Sequence, residues 1–306
     1  MAMLLLQRVA QALLILLGVA AITFVLLYAL PADPARMLAG RSATTQTVAS
    51  IRHQLGLDQP LIIQFWNYLS GLLQGNLGRS YAQKTEVWTL IVARLPATLT
   101  LMAAGIFVEV VLGVTFGTIA AVKRGSLIDR LVMMASFVGV SAPQFVAALL
   151  MLYLFAVTLG WFPMSGYGTF SHIVLPAMTL GVLGAGWYAR MVRSAMIDVL
   201  NQDYVRTARA KGLSSARIIF RHALPNAILP IIAMIGIDIG QFMGGVVVVE
   251  AVYGWPGIGQ LAWQAIQQVD IPIIMGVTLT SALAIVIGNL LADLIAPVID
   301  PRIRAT

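Results

Sequence analysis

Three carboxylates, Glu109, Asp238 and Asp293, stand inside runs of sequence that are otherwise apolar for about 20 residues at a time. A charge in such a setting is costly, so it is expected to pair, to line a watery path, or to pass a proton or a cation. Asp238 is the most central of the three. Gln241 follows it, then Gly244 and Gly245, small residues that let another helix approach closely. Two readings stay open for Asp238: a path-lining group together with Gln241, or a structural acid bonded to a neighbouring helix. Asp293 lies near the end of its run, where Arg302 or Arg304 is within reach. Hydrolytic chemistry is not expected of this chain. It has no G-x-x-x-x-G-K-[ST] loop to cradle phosphates, no H-E-x-x-H pair and no cysteine, and His53, His172 and His222 are scattered over different loops. No nucleophile, base and orienting group can be assembled, and no metal site is expected.

Two further features sit at the edges of apolar runs. Arg190 and Arg193 close one of them, where they can snorkel to headgroups and complement the helix dipole, or guard the mouth of a pore. Ser141-Ala142-Pro143 interrupts another. Pro143 removes a backbone donor and is expected to kink the helix, with the freed carbonyl left for Ser141 or water, either beside a path or for packing alone.

The stretch 203–230 is different in kind. Arg206, Arg209, Lys211, Arg217 and Arg221 alternate there with small or apolar residues, Gly212 breaks the run, and Ser214 is placed to cap a second short helix ending before Pro225. This predicts helix, turn, helix, a rigid element shaped to be gripped. A solvated basic face would account for the charge but not for Gly212 or the small residues Ala208 and Ala210.

The elements that position these groups follow from composition. Of 306 residues 59% are hydrophobic and 10% charged, which excludes an ordinary soluble domain and turns the net charge of +7 into a question of where the cations lie rather than of nucleic-acid binding. Apolar runs of about 20 residues match a hydrocarbon layer of ~30 Å, so an all-α integral membrane fold is expected, with spans near 9–30, 97–122, 131–159, 174–198, 226–249 and 273–297. The short connectors 123–130 and 199–225 are basic, as are Arg8, Arg302 and Arg304, whereas 160–173 and 250–272 hold no Lys or Arg. The basic faces are then cytosolic, with both termini inside and 31–96 outside. A signal peptide at the first run is not expected, because the run exceeds the 7 to 15 apolar residues of such a peptide. Within 31–96, Asp58 and Pro60 stand where an N-cap and an early helical residue belong. Leu61, Ile62, Phe65, Trp66, Leu69, Leu72 and Leu73 then recur at helical spacing until Gly75 and Gly78. Four segments result: 1–30 with the first span, the external 31–96, a core over 97–297 that includes 199–225, and a tail over 298–306.

Arg206-Thr207-Ala208, Gly212 and Leu224-Pro225 match the spacing of the EAA signature of ABC importer permeases, with Arg206 where glutamate is usual and His222 where isoleucine is usual. LPADPA (30–35), LGLDQP (55–60), GNLGRS (75–80), Pro96 to Leu101, Glu250 with Tyr253-Gly254-Trp255-Pro256-Gly257-Ile258-Gly259, and Asp270-Ile271-Pro272 also resemble the dipeptide, oligopeptide and nickel branch of that family, in its B-type subunit. The resemblance covers nearly the whole chain. It implies a six-helix type I importer permease in a bacterial inner membrane, paired with a C-type permease, two cytosolic ATPases and an external substrate-binding protein. ATP and Mg would be bound by the ATPases and no cofactor by this chain. Arg206, Thr207, Ala208, Ala210, Gly212, Leu213, Leu224 and Pro225 would couple to the ATPases, and Ser141, Pro143, Asp238 and Gln241 are candidates for the path. Glu250, Trp255, Pro256, Gly257 and Asp270 are candidates for an external gate or docking face. A small peptide is the expected solute, with glutathione or a nickel chelate as alternatives. A carrier driven by an ion gradient through Glu109 and Asp238 is the rival reading, and a scaffold that transports nothing is a weaker one.

Overall fold

Long apolar runs satisfy their backbone in hydrocarbon by closing into helices. The described residues hold no strand, only an isolated bridge between Arg79 and Glu86. The structure, a computed structural model, describes residues 2–29, 33–40 and 43–299, and side chains within them except at 2–9, 28, 29, 37, 244, 245 and 291–299. Asp293, Gly244, Gly245, Arg302, Arg304 and the start of LPADPA therefore lie outside the described groups.

In chain order the helices are α1 (Ala2–Ala29), α2 (Pro34–Ala39), α3 (Thr45–Gln54), α4 (Leu61–Leu73), α5 (Val87–Val122), α6 (Leu127–Ser141) and α7 (Gln144–Met151), the last continued by a π-helical stretch over Leu152–Thr158. After them come α8 (Phe170–Leu200), α9 (Asp203–Ala210), α10 (Ser215–Arg217), a π stretch over Ile218–Ala223, α11 (Leu224–Ala227), α12 (Leu229–Gly245), α13 (Val247–Val252), α14 (Ile258–Gln268) and α15 (Ile271–Ile299). By length and composition α1, α5, α8 and α15 can each cross a membrane. The third and fifth expected spans are broken. The halves of the third meet at 106° and those of the fifth at 48°. Outward faces are apolar, as at Leu14, 73% exposed, and Trp66, 70% exposed, which suits lipid as the solvent.

Contacts divide the chain into two units. The first comprises 1–98, 243–247 and 256–286. Phe24 of α1 packs there against Phe65 and Tyr68 of α4, with ring centroids 5.1 and 6.3 Å apart, and Ile271 and Met275 complete the cluster. Helix α4 covers the predicted residues, but Asp58 does not cap it. The cap position is Pro60, without a side-chain bond, and the Asp58 carboxylate instead meets His53 Nδ1 at 2.7 Å. The helix stops at Gly75, whose φ of +76° only glycine adopts without strain. Helix α5 starts at Val87, ahead of the expected span, and carries Pro96 inside it. At 1.5 Å per residue its 36 residues run about 54 Å, longer than the ~30 Å hydrocarbon layer.

The second unit comprises 99–242, 248–255 and 287–306. Its spine is the pairing of α5 with α8, which glycines bring to near backbone contact. A Cβ on Gly117 would lie 2.6 Å from the Ala189 carbonyl oxygen, and one on Gly113 would overlap Tyr188. Helix α6 packs on α8 the same way: a Cβ on Gly186 would lie 2.5 Å from the Ser136 carbonyl oxygen.

Candidate functional site

Pro143 does more than kink the third span. The residue before a proline is driven out of the helical region, and Ala142 is extended at φ −71°, ψ 129°, so α6 ends at Ser141 and α7 restarts after Pro143. The Ala142 N–H donates to the Val138 and Gly139 carbonyls, so the turn keeps its own bonds. This corner lays Gly139, Val140, Ala142 and Gln144 along a cavity of about 460 Å³ within the second unit. Glu109 of α5, Trp187 and Tyr188 of α8, and Asp238 and Gln241 of α12 line the rest of its polar wall. Of the four path candidates, Asp238 and Gln241 therefore reach the cavity. Ser141 and Pro143 are exposed and shape its wall without lining it.

Asp238 accepts a hydrogen bond from the Tyr188 hydroxyl, a partner fifty residues away that helical spacing alone does not disclose. Glu109 is 3% exposed, its carboxyl meets that of Asp238, and its Oε2 has no hydrogen-bond partner. The Glu109 carboxyl fills space made by a missing side chain, because a Cβ on Gly184 would fall on it. No lysine or arginine is among the lining residues.

Arg190 and Arg193 stand inside α8, which runs on to Leu200, and have separate roles. Arg193 is held in an ion pair. Its Nε and Nη2 donate to the two carboxylate oxygens of Asp129 at 2.6 and 2.8 Å, and Asp129 also accepts the Gly125 N–H at 2.9 Å. A two-point arginine–carboxylate fork of this kind fixes direction as well as distance, here between the start of α6 and the C-terminal half of α8. Arg190 stands over the rings of Phe137 and Trp187, 4.9 and 4.4 Å from their centroids.

The basic stretch after α8 is two short helices joined at a glycine. Helix α9 ends with Gly212 at φ +75°; the Gly212 N–H donates to the Arg209 carbonyl at 2.9 Å and the Leu213 N–H to that of Ala208 at 3.3 Å. These two bonds are the Schellman stop, and Leu213 packs against Val205, Ala208 and Ile218 as that motif favours. Ser214 caps the next helix by accepting the Arg217 N–H at 3.4 Å. That helix does not end before Pro225. It continues through the π stretch into α11, with Pro225 inside the continuous run rather than beyond it. Ala208 is buried inside the element, so its small size serves contact between the two short helices, whereas Arg206, Thr207 and Ala210 are exposed. Met196 and Val192 of α8 bury against Ala223, Ala227 and Ile231, rooting the second short helix in the long one.

The remaining candidates form two clasps. In the first unit Asp270, wholly buried, accepts from Ser80 Oγ at 2.5 Å and from the Tyr81 and Ala82 N–H groups at 3.2 and 3.0 Å, so it ties the GNLGRS stretch to the start of α15. Gly257 is the N-cap residue of α14, next to the half-buried Pro256, and the Ile258 N–H donates to Thr98 Oγ1 at 2.8 Å. In the second unit Glu250 is fully buried, Trp255 sits edge-on to Tyr167 with centroids 4.8 Å apart, and the Tyr253 hydroxyl reaches the Ala148 carbonyl at 3.0 Å and Thr179 at 2.8 Å. Glu250, Trp255, Gly257 and Asp270 thus turn inward; any docking face near them is made by the loops they hold.

Residues 1–102 match the family described as the N-terminal part of a binding-protein-dependent transport system membrane component, and residues 113–305 match "Binding-protein-dependent transport system inner membrane component". The glutathione transport system permease protein GsiC of Salmonella typhimurium is 41% identical over 289 residues, 94% of each chain, and that of Escherichia coli K12 is 40% identical over 286 residues, again 94% of each. Among solved structures, an inward-facing form of the MetNI methionine ABC transporter aligns with a TM-score of 0.58 at 22% identity, covering 69% of this chain and 97% of that one, which supports the type I importer permease fold. A family match over most of the chain and relatives sharing two-fifths of their residues along nearly its full length make this chain a member of the binding-protein-dependent transport system inner membrane components.

Proposed function

We propose that this chain is one of two permease subunits of an ATP-driven importer of a small peptide or peptide-like solute, glutathione included. The observation that carries the coupling role is the rigid element over 203–224, stopped by Gly212 and rooted in α8 through Met196 and Val192. Such an element, seated in a cleft of an ATPase, would be dragged when ATP closes the ATPase pair and would carry α8 with it. ATP and Mg belong to those partner chains. A C-type permease would complete the path, and an external substrate-binding protein would deliver solute to the side that holds 31–96, with both termini cytosolic. Arg206, Thr207 and Ala210 are the exposed residues through which the ATPase would be met. The named relatives support glutathione as the solute.

The test is purification of the tagged chain from its native membrane, identification of the proteins that come with it, and comparison of their ATP-driven uptake with and without Gly212→Pro, since proline cannot adopt φ +75°. Recovery of a second permease and two ATPases, with uptake lost in the variant, is expected. A chain that comes out alone and still moves solute under an ion gradient would overturn the reading.

A further inference from the structure

The acidic wall of the second-unit cavity has no task in the coupling just described. Glu109 is almost completely buried, keeps one oxygen without a partner, and faces the cavity beside Asp238. Tyr188 gives its only hydroxyl proton to Asp238, the Glu109 and Asp238 carboxyls meet each other, and Glu109 Oε2 stays an acceptor without a donor. No cation among the lining residues neutralises them, and Arg190 is engaged with the Phe137 and Trp187 rings. A purely structural acid would be bonded on both oxygens or replaced by an apolar residue, because an unmade bond on a buried polar group is a standing cost. Gly184 is cleared of any side chain to seat this one.

We propose that Glu109 and Asp238 form a subsite for an ammonium group of the solute in transit, such as the free amino terminus of a small peptide, with Gln241 and Gln144 meeting its amides. The reading rests on this chain being part of the solute path. An ammonium offers three donors and no acceptor, which complements a wall of acceptor oxygens, and a partly enclosed acidic cleft raises the local concentration of cations by roughly 10- to 1,000-fold. Blocking the amine by acetylation removes the charge and two of the three donors, and adds an acceptor carbonyl.

The native chain has no cysteine, so Gln241→Cys places its only thiol in the cavity. The complex bearing this variant, in nanodiscs, is treated with a trimethylammonium-ethyl or a sulfonatoethyl methanethiosulfonate, each rate normalised to that with a small free thiol and read from the mass of this chain. The cationic reagent is expected to be favoured roughly tenfold or more. Millimolar trialanine should slow it and N-acetyl-trialanine should not. Adding Glu109→Gln or Asp238→Asn should bring the ratio toward one. A ratio near one with both acids intact would overturn the subsite, and that measurement does not depend on the neutralised variants folding. Equal protection by the two peptides would overturn it as well. A high ratio with selective protection, in a complex that shows no ATP-driven uptake, would leave the subsite standing and sink the importer reading instead.

Discussion

Gly212 offers the sharpest quantitative test of the element that joins α9 to α10. Its φ of +75° is left-handed, and a Cβ built there meets no atom within 4 Å. Alanine therefore fits the space and pays only for the backbone, about 1–2 kcal/mol for an L-residue held in that region. Asparagine tolerates the same region through its short polar side chain and should lose a few tenths of that. If the Schellman turn opens locally, a loss of about 1–2 kcal/mol raises the open population by a factor of about 5–30. Hydrogen exchange of peptides covering 203–224 in the assembled complex reads that factor directly. Exchange should accelerate in the order Gly, Asn, Ala, with peptides from the α5–α8 pairing unchanged. Equal acceleration by Asn and Ala would show that bulk rather than backbone conformation matters, and no change with Ala would show that the turn contributes nothing to holding the element.

Asp129→Asn should lower the melting temperature of the complex by removing the fork to Arg193. The side chains are 6% and 27% exposed, which places the cost between the surface and buried limits, about 1–3 kcal/mol, with much of it shared with Arg193→Gln in a double-mutant cycle. Asp270→Asn turns one acceptor toward backbone N–H donors into another donor, so proteolysis at 78–86 should become faster at a cost of at least about 1.5 kcal/mol. The exposed His53–Asp58 contact gives a pH signature. Its hydrogen bond raises His53 above the ordinary 6.5 and lowers Asp58 below 3.8. The histidine contribution is full below 6.5 and disappears as pH rises through its raised value. The carboxylate contribution is full above 3.8 and disappears as pH falls through its lowered value. Between those pH values the contact is complete, and histidine exchange measured by mass spectrometry should show the His53 midpoint falling in Asp58→Asn.

Much of the frame was legible in residue order because length and polarity decide which runs cross a membrane. The helix over 61–73 and the glycine-stopped turn at 212 were equally plain, since both follow from local rules. The right-angle corner at Pro143 was underestimated. The rule that a residue before proline leaves the helical region was available, but whether Ala142 bends the axis a little or ends the helix depends on what α8 offers the second half to pack on. Pro225 and Pro230 mark the π stretch through 218–223 and the break after Ile228, but neither proline by itself fixes how far the axis bends. Partners across the fold were out of reach: Asp129 with Arg193, Tyr188 with Asp238 and Ser80 with Asp270 are separated by 64, 50 and 190 residues. The acids at 109 and 238 could be suspected from their apolar surroundings, whereas the cavity that joins them needed five helices in place.

Because the Glu109 carboxyl lies where a Cβ at position 184 would fall, the two sites share a single volume, and what one holds limits what the other can hold. Among related chains, a small or short residue at the position of 109 should release 184 to carry alanine, serine or larger, while a glutamate there should keep 184 as glycine. The pair is thus a two-letter record, readable from sequence alone, of whether a given relative keeps an acid in this wall.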